Sequence, residues 1–539
     1  MATHANEKDS VERIESIDPK TANLATRDIQ GDAAFHKAVN EVPLDPWSKT
    51  AFKLYGVLFI AALNATASGF DGSIFSSINA MDQWRSYLHL PELSSSTGLI
   101  LMIYTVGAMI GSLFTGPICD QWGRRAGMQV GAVLIMVGAA ILTAVQSEKM
   151  CIGGRFVLGW GVALGTSAAP TYALELAPPH WRARIVGFYN TFFYAGSILS
   201  TGVAYASAKM KGQVAFRLPL GLQLAPPAII LIGTLFIPES PRWLCWKGRQ
   251  EDAARILAEY HGNGDMQHPI VQMELKEFEE SIELQKSVKW YDYSCLYRDH
   301  NARWRFLMVT FMSYFAQLSG NSVLTYYLPA MYSLLGITST DRRLLLTFAN
   351  SIVSCTGAVI GSATNDRMGR RTRLWIGSIM LASLLAIVTA ISSQFATPAL
   401  KAKASPALSN AGVAFIFLFG AAYSFTYTPL TATYCAETLK TEGRAKGMGI
   451  HVIQSNSANL YNTYVTQIAF RKIGWKYYLV FVSLNVVYGF VWFFFGVETR
   501  GRTLEQLEEV FDAPFPPRAS LQKATMVQRN GHLENLEDA

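Results

Sequence analysis

Asp71 and Arg155 each stand alone inside an otherwise apolar stretch. In a bilayer such a residue costs at least ~2.5 kcal/mol unless it is paired or hydrated. Opposite charges on two helices could neutralise each other, and a carboxylate whose partner moves can take up and release a proton. That is the chemistry of coupling a proton to a movement. A second group is uncharged: Gln317, Asn321, Ser322, Tyr326 and Tyr327 in one apolar stretch, Asn190 and Asn350 in two others. Amides offer two donors and an acceptor, and aromatic faces pack on pyranose rings, so these residues suit a neutral polyol better than an organic ion. Asn and Gln also hydrogen-bond helix to helix inside membranes, and both readings stay open. A third group sits at the ends of apolar stretches: Asp120, Arg124, Arg125, Glu175, Arg182, Glu239 and Arg242, then Asp366, Arg367, Arg370, Arg371, Glu437 and Arg444. Charge-paired helix ends can lock one face shut and release it; alone, they would be anchors of membrane topology.

The elements that position these residues follow from composition. Half of the chain is hydrophobic (50%) and only 16% is charged, against about 25% charged in soluble proteins. Two charge-poor blocks, 52–238 and 306–496, leave too few polar residues to face water on all sides. The chain reads as a polytopic membrane protein, and soluble catalysis, secretion and nucleic-acid binding are set aside. A crossing needs about 20 mostly apolar residues. Candidates run over 54–78, 97–119, 127–147, 151–173, 185–206 and 218–237, then 306–333, 344–364, 374–394, 411–433, 448–468 and 477–496. Residues 1–51 read as a disordered tail, 239–305 as a linker with short surface helices, and 497–539 as a second tail. An even number of crossings puts both tails and the linker on one side. Most of the 46 Lys and Arg residues fall there, which marks it as cytoplasmic; the short loops alone are nearly balanced, so the tails and the linker carry this assignment. The six cysteines form no CxxC and read as small apolar residues. No phosphate-cradling loop, HExxH or GxSxG run occurs, so neither an enzyme, a metal site nor a cofactor is expected.

The two blocks repeat each other. DQWGRR (120–125) and DRMGRR (366–371) each follow the second crossing of their block, and YALELAPPHWRAR (172–184) matches YCAETLKTEGRAK (434–446). A duplicated six-helix unit places a substrate site between the halves near the bilayer midplane.

These motifs resemble the major facilitator superfamily. PESPRWL (238–244), RFVLGWG (155–161) and ETRGRTLE (498–505) resemble its sugar porter family. GFDGS (69–73), QLSGNSVLTYYLP (317–329), TPLTATYCAETL (428–439) and GRAKGM (443–448) are similar to fungal lactose permease-like transporters. The resemblance implies an all-α protein of twelve transmembrane helices in two pseudo-symmetric six-helix bundles. It implies a monomer in the plasma membrane that carries a sugar, a disaccharide or a hexose, by proton symport and alternating access. Asp71 and Arg155 would couple the proton, and the charged helix ends would form the cytoplasmic gate. Ala316 stands where the family has Gln, the Asn of span 7 sits one place early, Ala432 replaces Trp, Ser197 replaces a second amide of span 5, and Val497 replaces Pro. Less bulk at 432 and 197 would enlarge the site for a disaccharide. An exporter of a secondary metabolite and a non-transporting sugar receptor are the alternatives on the same architecture.

Overall fold

The computed structural model describes residues 47–91, 95–178, 182–262, 264–286, 292–365, 367–396, 405–440, 443–500, 502, 504–522, 526–529 and 532–535. The first-half helices are α1 (Lys49–Ala80), the short α2 (Asp82–Leu88), α3 (Ser95–Trp122), α4 (Arg124–Thr143), α5 (Glu148–Leu176) and α6 (Arg182–Ser207). The sixth crossing comes in two pieces, α7 (Val214–Leu222) and α8 (Ala225–Gly233). Three short helices follow: α9 (Pro241–Trp246), α10 (Gln250–His261) and α11 (Pro269–Lys286). The second half has α12 (His300–Leu318), α13 (Asn321–Leu334), α14 (Thr340–Ala363), α15 (Arg370–Ser393), α16 (Pro406–Thr426), α17 (Leu430–Thr438), α18 (Arg444–Ile473) and α19 (Tyr477–Phe495). After it come α20 (Leu504–Asp512), α21 (Pro516–Ala519) and a small hairpin, β1 (Met526–Arg529) with β2 (His532–Asn535), apart from the bundles.

The twelve-crossing, all-α architecture is the one expected. Its ends lie within a few residues of the apolar runs, because capping decides them rather than hydropathy. Helix α1 starts earlier than its apolar run because the Ser48 hydroxyl accepts the Ala51 amide at 3.1 Å, satisfying one donor of its first turn. Most of the 1–51 tail lies outside the described residues. Eight helical stretches among the described residues are apolar and long enough to cross a membrane. One of them joins α18 and α19, and α5, α6 and α12–α13 fall below that mark. Each buries polar groups among its neighbours, Arg155 on α5, Ser200 and Thr201 on α6, and Ser313 and Ser322 on α12–α13, so protein rather than lipid surrounds those faces.

Within the first half α1 packs on α6, and α5 on α3 and α4; within the second, α14 packs on α16 and α15 on α19. Across the halves α3 meets α18, α6 meets α14 and α1 meets α13. Lipid gives no hydrophobic drive to helix pairing, so small residues let backbones approach. A Cβ at Gly69 would strike the Phe193 carbonyl, and one at Gly196 the Thr66 carbonyl, on the two sides of the α1–α6 seam. Gly69→Ala should therefore cost about 1–3 kcal/mol of stability through overpacking. Gly56→Ala, which meets open space, should be neutral or gain up to ~1 kcal/mol of helix propensity. Thermal unfolding of the two purified variants compares them directly; equal melting temperatures would refute the tight seam.

Candidate functional site

The charged centre forms where α1, α3, α5 and the broken sixth crossing meet. Asp71 is 1% exposed, and its Oδ1 accepts from Gln223 Nε2 at 2.5 Å. Gln223 occupies the break between α7 and α8. Pro219 within α7 and Pro226 at the start of α8 interrupt that crossing, since proline lacks the amide a continuous helix needs. Arg155 is fully buried. Its guanidinium lies 4.2 Å from the Phe75 ring centre and 4.4 Å from that of Tyr104, and Nε donates to the Ile100 carbonyl at 3.4 Å. The direct Asp71–Arg155 ion pair expected from the sequence is not formed. The Gln223 carboxamide takes the carboxylate, and two aromatic faces hold the guanidinium, a contact worth about 2 kcal/mol when desolvated. The Arg155 Nη atoms and Asp71 Oδ2 have no hydrogen-bond partner. Both groups are thus held in place with bonding capacity to spare. Sequence reading missed Gln223; an amide inside the proline-flanked run LPLGLQLAPP was the available signal.

The seventh crossing, expected as continuous over 306–333, is broken. Helix α12 ends at Leu318, and α13 begins after Gly320, whose φ of 104° suits glycine alone. The freed carbonyls find side chains on neighbouring helices. Ala316 O accepts from Tyr423 at 3.1 Å, Gln317 O from Asn462 at 2.8 Å and Ser319 O from Asn485 at 2.8 Å. Gln317 and Asn321 flank the break, half-buried, and neither carboxamide is engaged by another described residue. Ser322 donates to Asn459 Oδ1 at 3.0 Å, and Asn459 Nδ2 reaches Thr105 of the other half at 3.4 Å. Tyr326 lies within electrostatic reach of Tyr104 and Arg155. Tyr327 has committed its hydroxyl to the Thr463 carbonyl at 2.6 Å. Asn350 is buried inside the second half against Gly420. Asn190 is half-buried on α6, one turn from Tyr194, whose hydroxyl bonds Ser424 at 2.7 Å and Thr428 at 3.1 Å across the halves. Ser197 accepts from Ser73 at 2.8 Å and donates to Ser351 at 3.2 Å. Sequence reading placed the eleventh crossing at 448–468 but named none of its residues, Asn459 and Asn462 among them, as site residues. Its run QSNSANLYNTYVTQ (454–467) is strongly polar for a membrane helix, and that was the signal.

The charged helix ends build the same device twice. In the first half Glu239 Oε1 accepts the backbone amides of Arg124 and Arg125, the first residues of α4, at 3.0 and 3.2 Å. In the second half Glu498 accepts those of Arg370 and Arg371, the first residues of α15, at 2.7 and 3.1 Å. A carboxylate suits a helix N-terminus because it meets unpaired donors and the positive end of the dipole. The glycine ahead of each arginine pair makes room: a Cβ at Gly123 would run into the Glu239 carboxylate, and one at Gly369 into that of Glu498. The Arg124 guanidinium then grips Glu175 through two bonds of 3.0 and 3.2 Å, and Arg370 grips Glu437 at 3.0 Å. Ser240 and Thr499 each add a 2.5 Å bond to those glutamates. Tyr172 donates to the Pro238 carbonyl and Tyr434 to the Val497 carbonyl, at 2.8 and 2.9 Å. The bond needs a carbonyl, not a proline ring, so Val497 serves. Burial pushes the Glu239 carboxyl above the usual range, and the amides of Ser240, Arg125 and Arg124 pull it back. Glu498 was missed as a site residue, although ETR at 498–500 is the counterpart of PESPR. Asp120 meets Arg124 at 3.3 Å from an exposed position. Arg367 is exposed and Arg242 half-buried, while Arg444 reaches only as far as the Leu439 carbonyl at 3.5 Å. Asp366 and the Arg182 side chain lie outside the described residues.

Glu239→Gln and Glu498→Gln keep size and lose charge. Each should destabilise the protein by about 1–2 kcal/mol, additively because the sites lie in different halves. Melting temperatures of the two single variants and the double variant check this, and no change in Glu498→Gln would dismiss its capping role.

The "Sugar (and other) transporter" family matches residues 57–511. A high-affinity glucose transporter of Kluyveromyces lactis is 28% identical over 500 residues, covering 90% of this chain and 89% of that protein. High-affinity glucose transporter 1 of Candida albicans is 28% identical over 518 residues, covering 90% and 93%. These relatives are glucose transporters rather than lactose permeases. A partially occluded, inward-open structure of the xylose transporter of E. coli shares the fold, with a TM-score of 0.69 at 21% identity over 84% of this chain and 99% of that one. The chain is a multi-pass membrane protein of the sugar porter family, in the major facilitator superfamily, and not an enzyme.

Proposed function

We propose that this protein is a proton–sugar symporter of the plasma membrane. It works as a monomer by alternating access, with both termini and the charged helix ends in the cytoplasm. The observation that carries the coupling is the Asp71–Gln223–Arg155 centre. Asp71 has one carboxylate oxygen held and one unpartnered, inside a dry region where protonation removes the cost of a buried charge. Arg155 favours the ionised form, and Gln223, on a different crossing, holds the carboxylate from the other side. Relative movement of α1 against α5 and α8 therefore changes the ease of protonation. The sugar site is supported by the free carboxamides of Gln317 and Asn321, the Ser322–Asn459 pair and Tyr326, which gather at the break in the seventh crossing. Tyr327 and Asn350 serve packing in this arrangement, and Asn190 lines the approach. The short side chains of Ala432 and Ser197 favour a disaccharide over a hexose.

Uptake of labelled glucose, lactose and cellobiose by a host stripped of sugar carriers tests this reading. Accumulation should be stronger at acidic external pH and should collapse with a protonophore. Asp71→Asn should lose accumulation yet keep downhill exchange, and Gln223→Leu should move the pH profile without abolishing uptake. Confirmed surface expression with no sugar uptake would sink the reading and leave export of another metabolite.

A further inference from the structure

Arg155 is fully buried, and its guanidinium rests on rings rather than on an anion. The ring centres of Phe75 and Tyr104 lie 4.2 and 4.4 Å from it, and both Nη atoms lack a hydrogen-bond partner. The two rings are themselves held. Phe75 on α1 is 1% exposed and meets Trp84 of α2 edge-on, with ring centres 5.9 Å apart. Trp84 is equally buried and meets Phe216 of α7 at 5.3 Å. Tyr104 on α3 is 8% exposed, and its backbone lies directly on α5. A Cβ at Gly159, one turn beyond Arg155, would strike the Tyr104 carbonyl, and one at Gly107 would strike the Phe156 carbonyl. This close seam fixes Tyr104 beside the guanidinium.

A buried guanidinium needs compensation for the water it has lost. Two sources compete for it here. Aromatic faces attract it through their quadrupoles, and the Asp71 carboxylate would attract it as an ion pair. The rings hold it, while Gln223 holds the carboxylate. The consequence falls on the proton. An arginine paired with Asp71 loses that pair when the carboxyl is protonated, which opposes protonation. An arginine resting on rings loses less, because the rings are there in both states.

The geometry points to Tyr104 as a positioning residue: its ring face holds Arg155 off Asp71 and so sets the pH at which Asp71 takes up a proton. The inference rests on the coupling role proposed above for Asp71. Besides Tyr104, the titratable groups that reach the pair are Cys151 on α5 and Tyr326 on α13; Gln223, between α7 and α8, is neutral. Phe75 supplies a second face and nothing that titrates.

Infrared difference spectra of the full chain in detergent, recorded through a pH titration, read the Asp71 carboxyl directly, with Asp71→Asn assigning its band. Tyr104→Leu removes the ring face and leaves the guanidinium to the carboxylate. It should move the Asp71 midpoint about one pH unit towards acid, roughly a tenfold loss of proton affinity. Tyr104→Phe keeps the face and should keep the midpoint. Phe75→Leu removes the other face, should move the midpoint in the same direction, and decides the matter if Tyr104→Leu does not fold. The pH profile of sugar uptake should follow the midpoint in each variant, and a chain that carries no sugar still answers in the spectra. An Asp71 midpoint that stays put or moves towards alkali on loss of the ring would overturn the inference and leave the coupling role standing. A Tyr104→Phe shift as large as that of Tyr104→Leu would do the same. An Asp71 that does not titrate would overturn both.

Discussion

A bilayer offers no water to a broken helix, and that constraint organises this structure around three interruptions. At Gly320 the freed backbone carbonyls find partners on neighbouring crossings, and at the other two interruptions the side chain at the interruption reaches a neighbouring crossing. The break at Gly320 draws in Tyr423, Asn462 and Asn485 from the tenth, eleventh and twelfth crossings. The break at Gln223 sends a carboxamide to Asp71. The break between α16 and α17 leaves Tyr427 bonded to Ser378 at 2.9 Å. The candidate binding region thus arises where the backbone departs from helix at Gly320, and the charged centre beside the proline-flanked residues Gln223 and Leu224, which keep helical dihedrals.

The duplicated scaffold separates what both halves share from what one half adds. Both carry a glutamate-capped helix start, an arginine gripping a second glutamate, and a tyrosine bonded to a carbonyl. Among the described residues, the first half adds a buried acid within a crossing, Asp71, near the buried Arg155; the second half buries Arg305, Arg343 and Arg373 without such an acid. In the second half the corresponding region is filled with amides and hydroxyls, which hold backbone breaks and leave two carboxamides free. Under the proposed mechanism the proton is handled by one half and most sugar contacts come from the other, so neither half could transport alone.

The periodic and compositional features were legible in the sequence. Twelve apolar runs gave twelve crossings, and the repeated DxxGRR and Glu–Arg motifs gave two charged ends. What could not be read was partner choice. Asp71 and Arg155 look like a pair because both are charged and both stand alone, but Gln223 competes for the carboxylate from a crossing whose break is visible only as a cluster of prolines. Glu498 escaped notice although ETR stands where PESPR places Glu239, because its partners are the backbone amides of Arg370 and Arg371 rather than a charged side chain. The eleventh crossing was read as a span, but the polar residues spread through 454–467 were not read as partners for neighbouring helices.

The distribution of bond types bears on how the halves can move. Among the described residues, the charge-assisted bonds at the charged ends lie within one half: Arg124 to Glu175, Arg370 to Glu437, and the two glutamate caps. The bonds that cross between halves are mostly neutral: Tyr194 to Ser424 and Thr428, Ser197 to Ser351, and Asn459 to Thr105. The one that involves a charge, Thr340 to Asp82 at 3.2 Å, is exposed to solvent. Neutral bonds contribute about 0.5–1.5 kcal/mol net, against roughly 1.5–3 kcal/mol for bonds to charged groups. Rocking that exchanges the crossing hydroxyl bonds for water or sugar hydroxyls costs little, while bending either half would break its strongest contacts. Under the proposed mechanism the halves move as bodies, and a sugar bound between them would offer the same kind of bond that the crossing hydroxyls make.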